Sequence, residues 1–235
     1  MSIGNRVYLK RNLPNRELVE AFRRLPAANV ADCMGRSCAM SPRIKLISRQ
    51  IRERMCGPAL TVKARAGDNL MLHKALNIAE KGDILVCSNE GDSTRALIGE
   101  VYAAYAAFKK IGGIVLDGPI RDIDALKDIG IPIYATGSTP GGPYKEGPGE
   151  INTPIACGNI SINPGDIILG DEDGVIVIPF ADAEDLLEKA KAFAEQDYNK
   201  MITHRNGCPN RTWVDKALAA KGCEIIDGAY GDLLR

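Results

Sequence analysis

Histidine is scarce in this chain, net charge is nil, and no apolar stretch reaches membrane-spanning length. The two histidines, His73 and His204, fall in different predicted helices. With no H-E-x-x-H pattern and no Cys/His cluster, a closed structural zinc site is not expected. Thirty basic residues balance thirty acidic ones. That balance leaves no basic stripe for a nucleic acid, and no run of one charge forms a polybasic or acidic tail. There is no eighteen-residue apolar run, and the opening MSIGNRVYLKRNLP has no apolar signal core. Seven cysteines (Cys33, Cys38, Cys56, Cys87, Cys157, Cys208 and Cys223) lack C-x-x-C spacing. They are expected to be reduced thiols, packed as small hydrophobes in a soluble cytoplasmic protein. The G-x-x-x-x-G-K-[ST] and strand-linked G-x-G-x-x-G patterns are also missing, which disfavours a P-loop and a dinucleotide site. "GSTPG" at 137–141 precedes no helical pattern, so it is not read as a nucleophile elbow.

What is present suits one α/β domain of 235 residues, 45% hydrophobic and 26% charged. Leu18, Val19, Phe22 and Leu25 fall at helical spacing, and a helical N-terminal segment is expected over about 15–36. "GPALTVKAR" (57–65), "ILVCS" (84–88), "IVLD" (114–117) and "IPIYATG" (131–137) read as strands. Between them, 68–83 reads as a helix with Asp68 as N-cap and Gly82 at its end, and "RDIDALKDIG" reads as a short one. Leu97, Val101, Ala104 and Phe108 recur at helical spacing before Gly112-Gly113. His73 is expected to be a satisfied structural residue. Residues 138–150, with three prolines and four glycines, read as a loop. Short strands are expected over 153–179, broken at Asn163-Pro164-Gly165 and by a hairpin turn at Asp171 to Gly174. A long C-terminal helix plus a polar tail fills about 182–235. Strands and helices alternate, so the class is α/β with a mixed sheet.

Three features point at one place. Backbone N–H groups at the start of the helix near Gly99 lack internal partners and suit a carboxylate, if the helix begins later than its apolar periodicity suggests. Arg121 and Asp122 follow the "IVLD" strand, where ligands of open α/β sheets bind. An Arg there clamps a carboxylate or an enolate oxygen, and an Asp holds a hard divalent cation. Glu100 precedes them by twenty intervening residues, and the helix and strand between return the chain to its starting end. The alternatives are plainer: Asp122 as the N-cap of its own helix, Arg121 paired with a neighbouring acid, Glu100 simply solvated.

Taken together, "DNLMLHKALNIAEKGDILV", the acid-x20-Arg-Asp spacing, "GGIVLDGPIRDIDALKDIGIPIYATG" and "INPGDIILGDEDGVIVIP" resemble one family over about Ala27 to Ala194. It holds the 4-hydroxy-4-methyl-2-oxoglutarate and 4-carboxy-4-hydroxy-2-oxoadipate aldolases and the regulator of ribonuclease activity A. The resemblance implies a single domain, a swivelling β/β/α-type sandwich with a mixed central sheet. It implies a divalent-metal (Mg²⁺ or Mn²⁺) pyruvate aldolase with oxaloacetate decarboxylase side activity. It also implies a homotrimer, or a dimer of trimers, with sites between subunits. By the same resemblance Gly99, Glu100, Val101 and Tyr102 form the carboxylate cradle, Arg121 binds substrate and Asp122 binds the metal. The family's acid before the gap is usually Asp where this chain has Glu100. Glu195 is the candidate to reach the metal, through water, from a neighbouring subunit. The rival reading is a non-catalytic regulator of ribonuclease E. A lysine Schiff-base aldolase has only Lys63 to offer.

Overall fold

The structure, a computed structural model, describes residues 3–49 and 53–230. Along the chain come β1 (Arg6–Val7), α1 (Arg16–Arg23), α2 (Ala27–Cys33), β2 (Lys45–Leu46), β3 (Met55–Ala64), α3 (Leu70–Ile78) and β4 (Ile84–Ser88). Then follow α4 (Glu100–Phe108), β5 (Gly113–Asp117), α5 (Ile123–Leu126), β6 (Ile133–Ala135) and β7 (Gly149–Ile151). The last are β8 (Ile155–Cys157), β9 (Ile160–Ile162), β10 (Ile167–Asp171), β11 (Gly174–Ile178), α6 (Ala183–Arg205) and α7 (Thr212–Ala220).

Strands β3, β4, β5 and β6 run parallel and side by side. Antiparallel β7 and β2 flank them, so the sheet is mixed, as expected. The ten-residue β3 belongs to two layers. Its second half pairs with β4, while Met55–Pro58 pairs with β10 of the β10–β11 hairpin.

Side-chain parity explains the layering. Leu85 and Cys87 of β4, with Ile114 and Leu116 of β5, face the cluster that holds Leu72 of α3 and Ala103 of α4. Ile84, Val86 and Val115 point the other way, onto Ile168, Val175 and Val177 of the hairpin. The hairpin's outer residues, Ile167, Leu169, Ile176 and Ile178, meet Phe22 of α1, Val30 of α2 and Leu186 of α6. Because both faces of the parallel strands are covered, they read as continuous apolar runs.

Several local expectations are corrected. Helix α3 stops at Ile78, where Ala79 turns to φ −62°, ψ 140°, and Gly82 lies beyond it. Asn69 occupies the N-cap position, and Asp68 acts one residue earlier: its Oδ1 accepts from Leu70 N at 2.9 Å. His73 is exposed, with its ring edge-on to Tyr102 at 5.5 Å; partial burial and the nearby Lys145 cation hold its imidazole below the ordinary value. On α4 the periodic residues face outward. Val101 is 87% and Phe108 80% exposed, whereas Tyr102, Ala103 and Ala106 are buried. A helix with nearly all apolar positions carries two candidate stripes, and the periodicity picked the wrong one. The loop at 138–150 is ordered, and its last two residues belong to β7.

Residues 1–194 form one compact unit and 195–235 a second, smaller one. The second begins on α6 and includes α7, a helix the polar tail did not announce. The end of that tail, 231–235, lies outside the described residues. No helix among the described residues is long and apolar enough to cross a membrane.

The thiols divide by burial. Cys38, Cys56, Cys87 and Cys157 are buried, Cys33 is half-buried, and Cys208 and Cys223 are exposed. Burial pushes the Cys56 thiol up to about 12 and likewise raises Cys87 and Cys157. Only thiolates alkylate readily. Native protein at pH 8 treated with iodoacetamide should therefore label Cys208 and Cys223 first and the four buried thiols only after denaturation, as read by peptide mass. Early labelling of Cys87 would contradict this packing.

Candidate functional site

Two strand-to-helix connections meet at the carboxyl ends of neighbouring parallel strands. Ser88, the end of β4, stands opposite Asp117, the end of β5. Residues 89–99 then lead into α4, and residues 118–122 lead into α5. The two stretches are zipped together: Leu97 N donates to Pro119 O at 2.9 Å, and Arg121 N donates to Ile98 O at 3.0 Å. This pairing sets Gly99 beside Arg121 and Asp122.

Asp122 occupies the N-cap position of α5 but makes no cap bond there. It takes a left-handed backbone, φ 59°, ψ 42°, a conformation that Asp tolerates better than most residues. Its side chain turns back, and Oδ2 accepts from Glu100 N at 3.0 Å. Asp122 therefore caps α4, whose own cap residue, Gly99, has no side chain. A carboxylate there also meets the positive end of the α4 dipole. Arg121 Nε lies 3.6 Å from the same oxygen. Both side chains stay partly open to solvent, at 46% and 41% exposure.

Gly99 is required by proximity rather than by backbone strain. Its φ −144°, ψ −164° is ordinary extended backbone. A Cβ there, however, would fall on Asp122 Oδ2 and lie 2.9 Å from Arg121 Cγ.

Helix α4 does begin at Glu100, later than its apolar periodicity suggested, so first-turn amides are free for a ligand. Of the expected four-amide cradle, the Glu100 N–H is engaged by Asp122. The N–H groups of Gly99, Val101 and Tyr102 find no partner among the described residues. Tyr102 offers its backbone only. Its ring is buried, its hydroxyl donates to Leu72 O at 2.8 Å, and burial holds the phenol well above its usual value. The Glu100 side chain is exposed. Glu195, at the start of the second unit, is exposed on α6 and is not among the residues that the first unit brings together.

Three contributors escaped the reading of the sequence. Arg43 grips Asp117 with Nη2 at 2.5 and 2.7 Å, and Asp117 also accepts from Gly158 N at 3.2 Å. Asp68, buried, accepts from Glu146 N at 2.7 Å and Gly147 N at 2.9 Å. Arg95 bonds Gly142 O and Tyr144. Arg43 and Arg95 sit in short polar stretches that fit any loop, and Asp68 was read only as a helix cap.

A hard cation finds one well-placed donor here, the Asp122 carboxylate, whose Oδ1 accepts no hydrogen bond among the described residues. The described residues contain no group of three or more His, Cys, Asp and Glu side chains able to hold a metal. This donor set fits an ion that keeps most of its waters and leans on one carboxylate and its ligand, as Mg²⁺ does. It does not fit a closed cage. Small-ligand sites are normally concave, and two clefts among the described residues lie elsewhere. One of about 620 Å³, at the amino ends of the parallel strands, is lined by Arg23, Arg54, Met55, Pro132, Tyr134 and Asp171. A second, of about 610 Å³, lies by Arg6, Arg11 and Asn152. Neither cleft is lined by Arg121, Asp122 or the first turn of α4.

Known proteins with related sequences and folds share this architecture. The family model described as RraA-like, Aldolase/RraA, matches residues 27–177. A protein of Halalkalibacterium halodurans named "Putative 4-hydroxy-4-methyl-2-oxoglutarate aldolase" is 40% identical over 175 residues, 74% of this chain and 82% of its own. A Bacillus cereus protein of the same name is 36% identical over 126 residues, 54% of this chain and 79% of its own. Among solved structures, Streptomyces coelicolor RraAS2, titled an unusual member of the RNase ES inhibitor RraA protein family, superposes with TM-score 0.72 at 26% identity. The match covers 80% of this chain and 98% of that one.

The close approach at Gly99 has a direct test. Gly99→Ala should push the Asp122 carboxylate off the Glu100 amide, and hydrogen exchange of that amide should speed up about tenfold, for the loss of a bond worth about 1 kcal/mol or more. Unchanged protection of Glu100 N–H would contradict the geometry.

Proposed function

The chain belongs to the RraA-like, Aldolase/RraA family, and we propose that it is a carbon–carbon lyase of this family's aldolase branch. It cleaves a 4-hydroxy-2-oxo diacid such as 4-hydroxy-4-methyl-2-oxoglutarate or 4-carboxy-4-hydroxy-2-oxoadipate to pyruvate and a second 2-oxo acid, and it depends on a divalent cation, Mg²⁺ or Mn²⁺. The observation that carries this reading is the convergence of Arg121, Asp122 and the first turn of α4 on one open strand end.

The first-turn N–H groups of α4 bind the C1 carboxylate of the substrate, as helix N-termini bind anions. Asp122 holds the cation through its open carboxylate oxygen. When bound, the cation polarises the 2-oxo group and stabilises negative charge that develops there. A base removes the proton of the C4 hydroxyl, the C3–C4 bond breaks, and its electron pair passes into the pyruvate enolate. Arg121 lies over Gly99, where its guanidinium faces the enolate oxygen. Glu100, exposed in the first turn, orients a water that delivers a proton to C3, and the proton taken from the C4 hydroxyl replaces the one that water gives up. Oxaloacetate reaches the same enolate by losing CO₂, so the same site is expected to decarboxylate it.

The open face of the site needs a further wall, and we assign it to a second copy of the chain. Val101, Ala104, Tyr105 and Phe108 form an outward apolar stripe beginning in the first turn itself, and Tyr105 stacks on Phe108 at 6.3 Å. Exposed apolar patches of this kind mark association surfaces. A homotrimer, alone or doubled, sets such stripes against neighbouring subunits, and Glu195 of a neighbour would help hold the cation through water. The second reading, a protein regulator of ribonuclease E, draws support from the likeness to RraAS2. Capture of ribonuclease E by an Asp122→Ala variant that has lost all turnover would favour it.

Two outcomes are expected. Pyruvate release from a 4-hydroxy-2-oxo diacid, followed by a coupled assay, should need Mg²⁺ or Mn²⁺ and vanish with EDTA. Asp122→Ala should abolish it, and Arg121→Ala should lower kcat by on the order of a hundredfold; metal-independent turnover in Asp122→Ala would contradict the assignment. In sedimentation velocity, Phe108→Glu should shift the assembly to monomers and lose activity with it, whereas an unchanged boundary would remove the stripe from the interface.

A further inference from the structure

The segment between β6 and β7 lies across the site as a strap tied at both ends. At one end Ile120 N donates to Gly137 O at 2.9 Å and Thr139 N to Ile120 O at 3.0 Å. At the other, Tyr144 N donates to Gly67 O at 2.8 Å, Asn69 N to Tyr144 O at 3.0 Å, and Asp68 receives the amides of Glu146 and Gly147. The middle, Gly141-Gly142, depends on the β4–α4 connection: Ala96 N donates to Gly141 O at 2.8 Å. Arg95 then supplies a double hold, Nη1 to Gly142 O at 2.9 Å and Nη2 to the Tyr144 hydroxyl at 2.7 Å. Its guanidinium carbon sits 4.0 Å from the centre of the Tyr144 ring. Its stem packs so near Gly67 that a Cβ there would stand 3.0 Å from Arg95 Cδ.

What the strap touches gives this hold a purpose. A Cβ on Gly142 would lie 3.3 Å from Arg121 Nη1. The Arg121 guanidinium is therefore bracketed, with Gly99 under its stem and Gly142 beside its tip. Arg95 enters no ion pair with a carboxylate among the described residues; both of its bonded nitrogens go to neutral strap oxygens. Arg recognises such a pair of acceptors as a planar fork while stacking on an aromatic face, which Lys cannot reproduce.

We propose that Arg95 is a positioning residue: by clamping Gly142 and Tyr144 it holds the strap as the wall that keeps the Arg121 guanidinium over the first turn of α4. Arg95 thereby sets substrate affinity without touching the reacting atoms. This rests on the aldolase reading, because only that reading gives Arg121 a substrate to meet. Small displacements of a binding group are costly, up to about a hundredfold for 1 Å. A loosened wall leaves the chemical groups in place, so the loss appears mainly in KM.

The test compares full-length Arg95→Ala, Arg95→Lys and Tyr144→Phe with the wild type by two measurements, amide exchange across residues 139–146 and steady-state pyruvate release with Mg²⁺. For Arg95→Ala we expect faster exchange at Gly141 and Tyr144, whose amides donate to Thr139 Oγ1 and Gly67 O, and a KM raised about tenfold with kcat within about threefold. Arg95→Lys, which keeps the charge but not the fork, should recover only part of either effect, and Tyr144→Phe, which keeps the ring, should do better. Three results would overturn the proposal: a strap as protected in Arg95→Ala as in the wild type, a loosened strap with unchanged KM, or full rescue of exchange and KM by Arg95→Lys. If the wild type itself releases no pyruvate, the aldolase reading falls and the affinity role with it, while the exchange data still decide whether the clamp exists.

Discussion

One contact organises this site: the carboxylate of Asp122 accepting the first amide of α4 across twenty-two positions of sequence. The contact exists because Gly99 has no side chain, so Asp122 and Arg121 can lie directly on the backbone at the helix start. It is stabilised from both sides. The α4 dipole and the Arg121 guanidinium both attract the carboxylate oxygen at this position. The left-handed turn at Asp122 aims that carboxylate away from its own helix. One oxygen is spent on the amide and the other stays open.

The rest of the fold positions this contact. The parallel register that sets Ser88 against Asp117 brings the two connections together, and the zipper at Leu97–Pro119 and Ile98–Arg121 aligns them. Below it, the Arg43–Asp117 pair and Gly158 close the end of β5. Beside it, the strap bounds Arg121. What the first unit alone does not provide is an enclosure, and the apolar residues along the outer face of α4 begin where the enclosure is missing.

Much of the architecture was legible in the sequence, for reasons that particular elements make plain. The runs "ILVCS" and "IVLD" are apolar at every inward position because both faces of the sheet are covered. Their spacing around one helix announces a parallel pair. The Arg121-Asp122 step at a strand end was visible, and the structure sets both side chains at the start of α4, whose first residue, Glu100, the apolar periodicity did not locate. The orientation of α4 was hidden, because Tyr102, Ala103 and Ala106 are as apolar as the exposed Val101, Ala104 and Phe108. Glycine and proline in the strap signal a loop, but its order comes from Asp68 and Arg95, dozens of residues away, and local composition does not record such bonds. The turn of Asp122 back to α4 was hidden for the same reason: at an N-cap position, sequence marks the residue and not the helix that it caps.

In the proposed site, a cation held by Asp122 and a small carboxylate held by Arg121 and the α4 amides meet at this strand end. Anomalous diffraction from crystals soaked in Mn²⁺ with oxalate, a compact mimic of the pyruvate enolate, tests it most directly. The account predicts an anomalous peak in direct contact with the Asp122 carboxylate, with oxalate bridging it to Arg121 and the amides of Val101 and Tyr102. A peak confined to the Arg54–Asp171 cleft, with none at Asp122, would contradict it.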